Sequence, residues 1–183
     1  MKPQLKRLTS EYIIKPFNCN DADLNGFLLE SDCNIPNAKQ HTVELLAVTY
    51  LIEDLDANAT IAYFSLLNDK IEREITSKSA WNRLSRKLPN VKRRSTHPAV
   101  KIGRLAVSKD YQGQKWGQKI LSFLKLWFTQ NNKTGCRYLT VDALNSAQGF
   151  YEKCGFKVLV TPELEDETIL MYFDLKQFVD TKE

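Results

Sequence analysis

Six consecutive residues, Gln112-Gly113-Gln114-Lys115-Trp116-Gly117, carry the strongest chemical signal in the chain. They follow a strand-like run, Val100 to Val107, and a polar link, Ser108-Lys109-Asp110. They precede a helical pattern in which Ile120, Leu121, Leu124, Trp127 and Phe128 recur at i, i+1, i+4, i+7 and i+8. A strand feeding a glycine-bearing loop at a helix start can hold phosphate. The first N–H groups of a helix have no intrahelical partner, and the aligned peptide dipoles favour negative charge there. Glycines at 113 and 117 clear side chains from where a pyrophosphate would meet the backbone. The loop is neither a G-x-G-x-x-G nor a Walker-type G-K-[ST] sequence. Spacing alone leaves a solvated strand-to-helix turn open as the alternative.

Leu105-Ala106-Val107 followed by Tyr111-Gln112-Gly113-Gln114-Lys115-Trp116-Gly117 resembles the acetyl-CoA motif of the GNAT N-acetyltransferases, [QR]-x-x-G-x-[GA]. Gln112 and Gly117 match its first and last positions, and Lys115 stands where the family has its first glycine. The segment Val141-Asp142-Ala143-Leu144-Asn145 through Phe150-Tyr151-Glu152-Lys153-Cys154-Gly155-Phe156 resembles the family's second signature, an asparagine before F-Y-x-x-x-G-F. Nearer the start, Phe17-Asn18-Cys19-Asn20 with Leu24-Asn25 and Phe27-Leu28 is similar to F-x-C-G-x-x-x-L-N-x-[WF]-L, with Asn20 replacing the glycine. That pattern opens the branch that includes toxins acetylating aminoacyl-tRNA.

The resemblance implies an acetyl-CoA-dependent N-acetyltransferase with direct transfer to a primary amine in a ternary complex and no metal. By that likeness, main-chain groups of Leu105, Ala106 and Val107 hold the pantetheine arm like an added strand. Backbone N–H groups of Gln112, Gly113, Gln114, Lys115, Trp116 and Gly117 hold the pyrophosphate, and Asn145 bonds the pantetheine. The cofactor enters where the strands around 100–107 and 138–143 splay. Lys115 is either tolerated or turns its ammonium to the phosphates. Tyr151 is the expected general acid, since a phenol of pKa ~10 is protonated at neutral pH and can serve a thiolate of pKa ~8.5 or above. The competing reading is a core tyrosine, because Ala147, Phe150, Tyr151 and Cys154 fall at i, i+3, i+4 and i+7. Glu44, Asp142 and His97 are candidate bases, each open to a structural role instead. A lysine ε-amine of pKa ~10.4 is only about 0.04% neutral at pH 7, against about 10% for an α-amine near ~8. A site without a dedicated base therefore suits an α-amine, including that of aminoacyl-tRNA.

Composition narrows the class. Hydrophobic residues at 43% and charged residues at 26% are those of a globular chain, and 183 residues suffice for one sizeable core. No apolar run is long enough to span a bilayer. The basic, polar start is not followed by an apolar block, so the expectation is a cytoplasmic protein without a signal peptide. Cys19, Cys33, Cys136 and Cys154 show no metal-like spacing, and His41 and His97 are the sole histidines. The net charge of +4 is uneven. Lys78, Arg83, Arg86, Lys87, Lys92, Arg93 and Arg94 crowd one stretch without an acid, and Glu163, Glu165, Asp166 and Glu167 cluster later. The basic stretch is either a tRNA-attracting surface or a solvated one.

The elements that must position these residues follow from periodicity. A first strand is expected within Leu5–Tyr12, a helix carrying Leu24, Phe27 and Leu28 after the capping run Asn18–Asp21, and a second short helix within Ser31–Gln40. Strands are expected over Val43–Ile52 and Thr60–Leu67, with a hairpin turn at Asp56–Asn58. The segment at about 68–97 reads as a basic insertion with a helix around Ser79–Lys87. Tyr138–Ala143 is a strand, and Asn145 with Gln148 forms a capping box for a helix ended by Gly155. Phe156–Val160 and Thr168–Asp174 pair around a turn at Pro162–Glu167. This order predicts one α+β domain over residues 1–183. The resemblance makes its sheet mixed and mostly antiparallel with flanking helices, three layers as α/β/α. A second copy of the chain is among the partners expected. The rival reading from another class is a non-catalytic binding module on the same fold, with Lys115 marking a degraded loop and the basic stretch binding nucleic acid or protein.

Overall fold

Strand and helix periods in the sequence resolve, in a computed structural model, into seven strands ordered β1-β2-β3-β4-β5-β7-β6 in one mixed, mostly antiparallel sheet. The structure describes residues 1–30, 37–86, 88, 95–130, 135–160 and 167–180. It divides into two compact units, Met1–Leu67 with Ile102–Ile120, and Asn68–Lys101 with Leu121–Glu183. Strands β3 (Ala59–Glu72) and β4 (Thr96–Val107) and helix α4 (Trp116–Thr129) contribute residues to both.

In the first unit β1 (Pro3–Arg7) pairs antiparallel with β2 (Val48–Asp54), which forms a hairpin with β3. Asn58 turns the hairpin at φ +49°, a left-handed value that asparagine accepts more readily than most residues. Helix α1 (Ala22–Leu29) starts where the Asp21 carboxylate accepts the Leu24 N–H at 2.9 Å. Its Phe27 and Leu28 join Leu8, Phe17, Leu51, Tyr63 and Ala106 in one buried cluster. Two expectations need correction. The strand sought over Val43–Ile52 begins only at Val48, because α2 (Asn37–Val43) runs through Val43. The apolar run Val43, Leu45 and Leu46 is the exposed end of that helix, with Leu45 at φ +57° and 90% exposed. The first strand likewise stops at Arg7. Leu8 still donates to the Thr49 carbonyl, and a turn from Thr9 to Tyr12 follows.

In the second unit β4 pairs in parallel with β5 (Tyr138–Leu144) at Ala99↔Tyr138, Val100↔Leu139 and Lys101↔Thr140. Strand β5 then runs antiparallel to β7 (Thr168–Asp174), which also takes β6 (Lys157–Val158). The basic segment is less of a loop than its composition suggests, because β3 continues to Glu72 and β4 begins at Thr96. Between them Ser77 caps α3 (Lys78–Ser85), accepting the Ala80 N–H. Trp81 and Leu84 enter a core with Ile71, Ala99, Tyr138, Leu159 and Tyr172. Lys87, Lys92, Arg93 and Arg94 lie outside the described residues, as do residues 162–166 of the expected turn. Helix α5 (Gln148–Lys153) ends as expected, with Gly155 at φ +83°. A final helix, α6 (Leu175–Asp180), was not anticipated.

Candidate active site

The first unit supplies a collar of backbone N–H groups. Gly113 and Lys115 stand at φ +77° and +63°, so the chain turns left-handed twice before α4 begins at Trp116. Lys115 thus keeps the backbone form that a glycine would take at that position, and its side chain is exposed. Its carbonyl accepts the Lys119 N–H, which makes Lys115 the residue that opens α4. Among the described residues, no hydrogen bond takes the N–H groups of Gly113, Gln114, Lys115, Trp116 or Gly117. Such a run of unclaimed donors at a helix start fits a diphosphate. Trp116 is buried under the Lys119 ammonium, 4.4 Å from its ring, and its indole N–H finds no acceptor among the described residues.

The residue that opens the motif works through its side chain. Gln112 donates from Nε2 to the Val107 carbonyl at 3.1 Å and to the Cys19 carbonyl at 3.3 Å. It thereby fixes the collar to the end of β4 and to the turn before α1. That turn is latched in its own right, because the Asn25 side chain accepts the Cys19 N–H and donates to Asn18. Asn20, where the resemblance wants glycine, sits at φ +66°. Both glycine departures therefore retain the glycine conformation. Within this unit the stretch Ile102–Val107 of β4 has β3 on one side and, among the described residues, no strand on the other. An unpaired strand edge is a template for an added extended chain. Leu105 and Val107 are half-buried on it, and Ala106 is buried in the core.

The second unit supplies the phenol. Tyr151 is 6% exposed on α5, edge-on to Phe150 at 5.0 Å and to Phe156 at 5.5 Å between ring centroids. Burial pushes its pKa up to about 12, with the neighbouring Cys154 adding to the rise. No described residue hydrogen-bonds its hydroxyl, and that oxygen is not among the fully buried atoms without a partner, so it is open to a ligand or to solvent. Asn145 begins a 3-10 turn ahead of α5, and the Gln148 side chain, expected to close a capping box, donates to Glu152 at 2.8 Å. The Asn145 N–H donates to the Glu167 carbonyl at 3.2 Å.

Each of the three candidate bases has its own surroundings. His97 is buried, with Nε2 3.0 Å from Ser85 Oγ and its ring stacked on Trp81 at 4.4 Å. Asp142 is paired with Lys101 at 2.8 Å, and Glu44 is exposed just after α2. Sequence reasoning also missed two cations. Arg104 lies over the Phe27 ring at 4.3 Å with Asp23 3.5 Å away. Lys125 is buried on α4, whereas Trp127, which the apolar spacing placed inside, is 38% exposed. Lys125 stands four residues after Leu121 and three before Phe128, on the apolar face, and only its residue type hid it. Among the described residues no group of three or more His, Cys, Asp or Glu could hold a metal, and no helix is long and apolar enough to cross a membrane.

Residues 86–158 match the family model of the acetyltransferase (GNAT) domain. A crystal structure of a Tyr-to-Phe mutant of KacT is 25% identical, with a TM-score of 0.74, and the match covers 97% of this chain and 99% of that one. AtaTR bound with AcCoA is 25% identical with a TM-score of 0.73, over 99% of this chain and 98% of that one. AtaT complexed with acetyl-methionyl-tRNAfMet shares the fold at 23% identity and a TM-score of 0.77, over the whole of both chains.

Proposed function

From the match of residues 86–158 to the GNAT acetyltransferase domain model, we propose that residues 1–183 act together as one acetyl-CoA-dependent N-acetyltransferase whose acceptor is the α-amine of aminoacyl-tRNA. The observation that carries the donor half is the set of unclaimed N–H groups from Gly113 to Gly117. They hold the pyrophosphate, with Gln112 bracing the collar from behind and the ammonium of Lys115 close enough in sequence to add charge. The open edge of β4 at Leu105 and Val107 takes the pantetheine amides, and Asn145 is the pantetheine-bonding residue that the motif of the second unit implies. Acetyl-CoA supplies the activated thioester when bound.

The rest is orientation and proton handling. Making an amide removes a proton from the acceptor nitrogen, and the leaving sulfur gains one. Tyr151, at about 12, is a weaker acid than a thiol of pKa ~8.5. Its part is to stay protonated and donate a hydrogen bond to the sulfur as the C–S bond breaks, while the acceptor nitrogen supplies the net proton. No carboxylate or imidazole among the three candidates stands ready as a base. A low-pKa amine needs none, being favoured over a lysine by roughly 3 kcal/mol at pH 7. The tRNA complex of AtaT supports the same acceptor, and the Tyr-to-Phe mutants of KacT and AtaT support testing the phenol first. Arg83 and Arg86 offer positive charge toward such a partner, and a reaction on charged tRNA belongs in the cytoplasm. Incubation with acetyl-CoA and total aminoacyl-tRNA is expected to yield N-acetylated aminoacyl product. Acetylation of small amines with none on tRNA would overturn the acceptor and leave the donor half standing.

A further inference from the structure

Lys125 is 7% exposed, and its ammonium donates to the Cys154 carbonyl at the end of α5. It also lies over the Phe173 ring at 4.0 Å and 5.7 Å from the Phe156 ring. Among the described residues no carboxylate pairs with it. A buried ammonium without a counter-ion is costly, so its neighbours must compensate. Here they are a helix C-terminus, where the peptide dipole favours a cation, and two aromatic faces.

The helix so held is short and is the one that bears Tyr151. The Cys154 N–H returns to the Phe150 and Tyr151 carbonyls, Gly155 donates to Glu152, and Phe156 donates to Tyr151. Those bonds close the turn on itself, leaving the Cys154 carbonyl for Lys125. Phe156 then touches both ends of the relation, edge-on to the Tyr151 ring and beneath the Lys125 ammonium. Two routes therefore run from Lys125 to the phenol, one through the backbone of residues 151–154 and one through the Phe156 ring.

From this geometry we infer that Lys125 is a positioning residue for Tyr151: its ammonium anchors α5 so that the phenol is held where it donates. The inference rests on Tyr151 being the hydrogen-bond donor to the leaving sulfur. Lys125 acts on this reading through α5 and not on a substrate, so its removal acts on turnover and spares cofactor affinity.

The test is a double-mutant cycle. Release of the CoA thiol from acetyl-CoA is followed with aminoacyl-tRNA and, separately, with water as acceptor, and CoA affinity is measured by calorimetry. Lys125→Met should lower kcat about tenfold or more, as expected for a misplaced reacting group, with CoA affinity within about twofold. Lys125→Arg, which keeps the cation at the carbonyl, should restore most of that loss. In the Tyr151→Phe background Lys125→Met should cost almost nothing further, because its target is already gone. An equal loss in both backgrounds, or a parallel loss of CoA affinity, overturns the inference and leaves Tyr151 in its role. Tyr151→Phe at wild-type rate instead removes the donor and the inference with it. If Lys125→Met does not fold, Lys125→Gln, which still offers an N–H to the carbonyl, carries the same cycle.

Discussion

The collar before α4 and the phenol on α5 are built from opposite materials. The collar consists of backbone N–H groups from Gly113 to Gly117, so what matters is the path of the chain rather than its side chains. A lysine can stand at 115 in place of the family's glycine because it adopts φ +63°. At Tyr151 the backbone is ordinary helix, and the role proposed for it rests on a single phenolic oxygen of a buried side chain. A site made of main chain tolerates many side chains and few dihedral changes. A site made of one side chain tolerates neither its loss nor its displacement.

The largest expected effect breaks the phenol side of this contrast. Tyr151→Phe removes one oxygen and should lower kcat by about a hundredfold or more, within the range for acid–base groups, while CoA affinity stays level. Single-turnover kinetics at saturating acetyl-CoA reads the first and calorimetry the second. The next effect breaks the collar side. Gly113 has no neighbour within 4 Å of a built Cβ, so a substitution there acts through its φ of +77° and not through a clash. Gly113→Val should weaken CoA binding about tenfold, because a β-branched residue strongly resists that region, whereas Gly113→Asn should bind nearly as wild type. Equal losses for Val and Asn would show that space, not conformation, is what the glycine provides.

Two smaller effects sharpen the comparison. Lys115→Gly relieves a left-handed lysine and should raise stability by about 1 kcal/mol in denaturant titration. If the ammonium also meets the phosphates, CoA affinity falls at the same time. Asn20→Gly should gain less, a few tenths of a kcal/mol, since asparagine tolerates its φ of +66° better. The pH profile separates Lys125 from Tyr151. Burial lowers the pKa of Lys125, so its charge is lost at lower pH than for an ordinary lysine. Burial raises Tyr151 to about 12, so its active, protonated form persists well past the usual tyrosine range. The fall of kcat on the alkaline side should therefore follow Lys125, and Lys125→Arg should move it upward.

Much of the collar was legible because glycines, the strand before it and the apolar spacing after it are local signals. The order of strands was legible for the same reason, and so was the end of α5 at Gly155. The misses have a common physical origin. Val43, Leu45 and Leu46 look like a strand because apolar residues normally go inside, yet here they are the solvent-exposed end of α2. Gln148 looks like half of a capping box, but Glu152 claims its amide. Lys125 reads as surface by type, and only tertiary packing against Cys154, Phe156 and Phe173 makes it interior. That Asn20 and Lys115 occupy glycine conformations is visible only in dihedral angles.

The claim on which the account depends is that the amides of the collar, and not the basic surface near α3, receive the nucleotide end of CoA. Titrating CoA into isotope-labelled protein and following each backbone amide by NMR tests it directly. The account predicts the largest shifts at Gly113, Gln114, Lys115, Trp116 and Gly117. Shifts confined to residues 78–86, with the collar amides unmoved, would contradict it and leave the fold to a binding module.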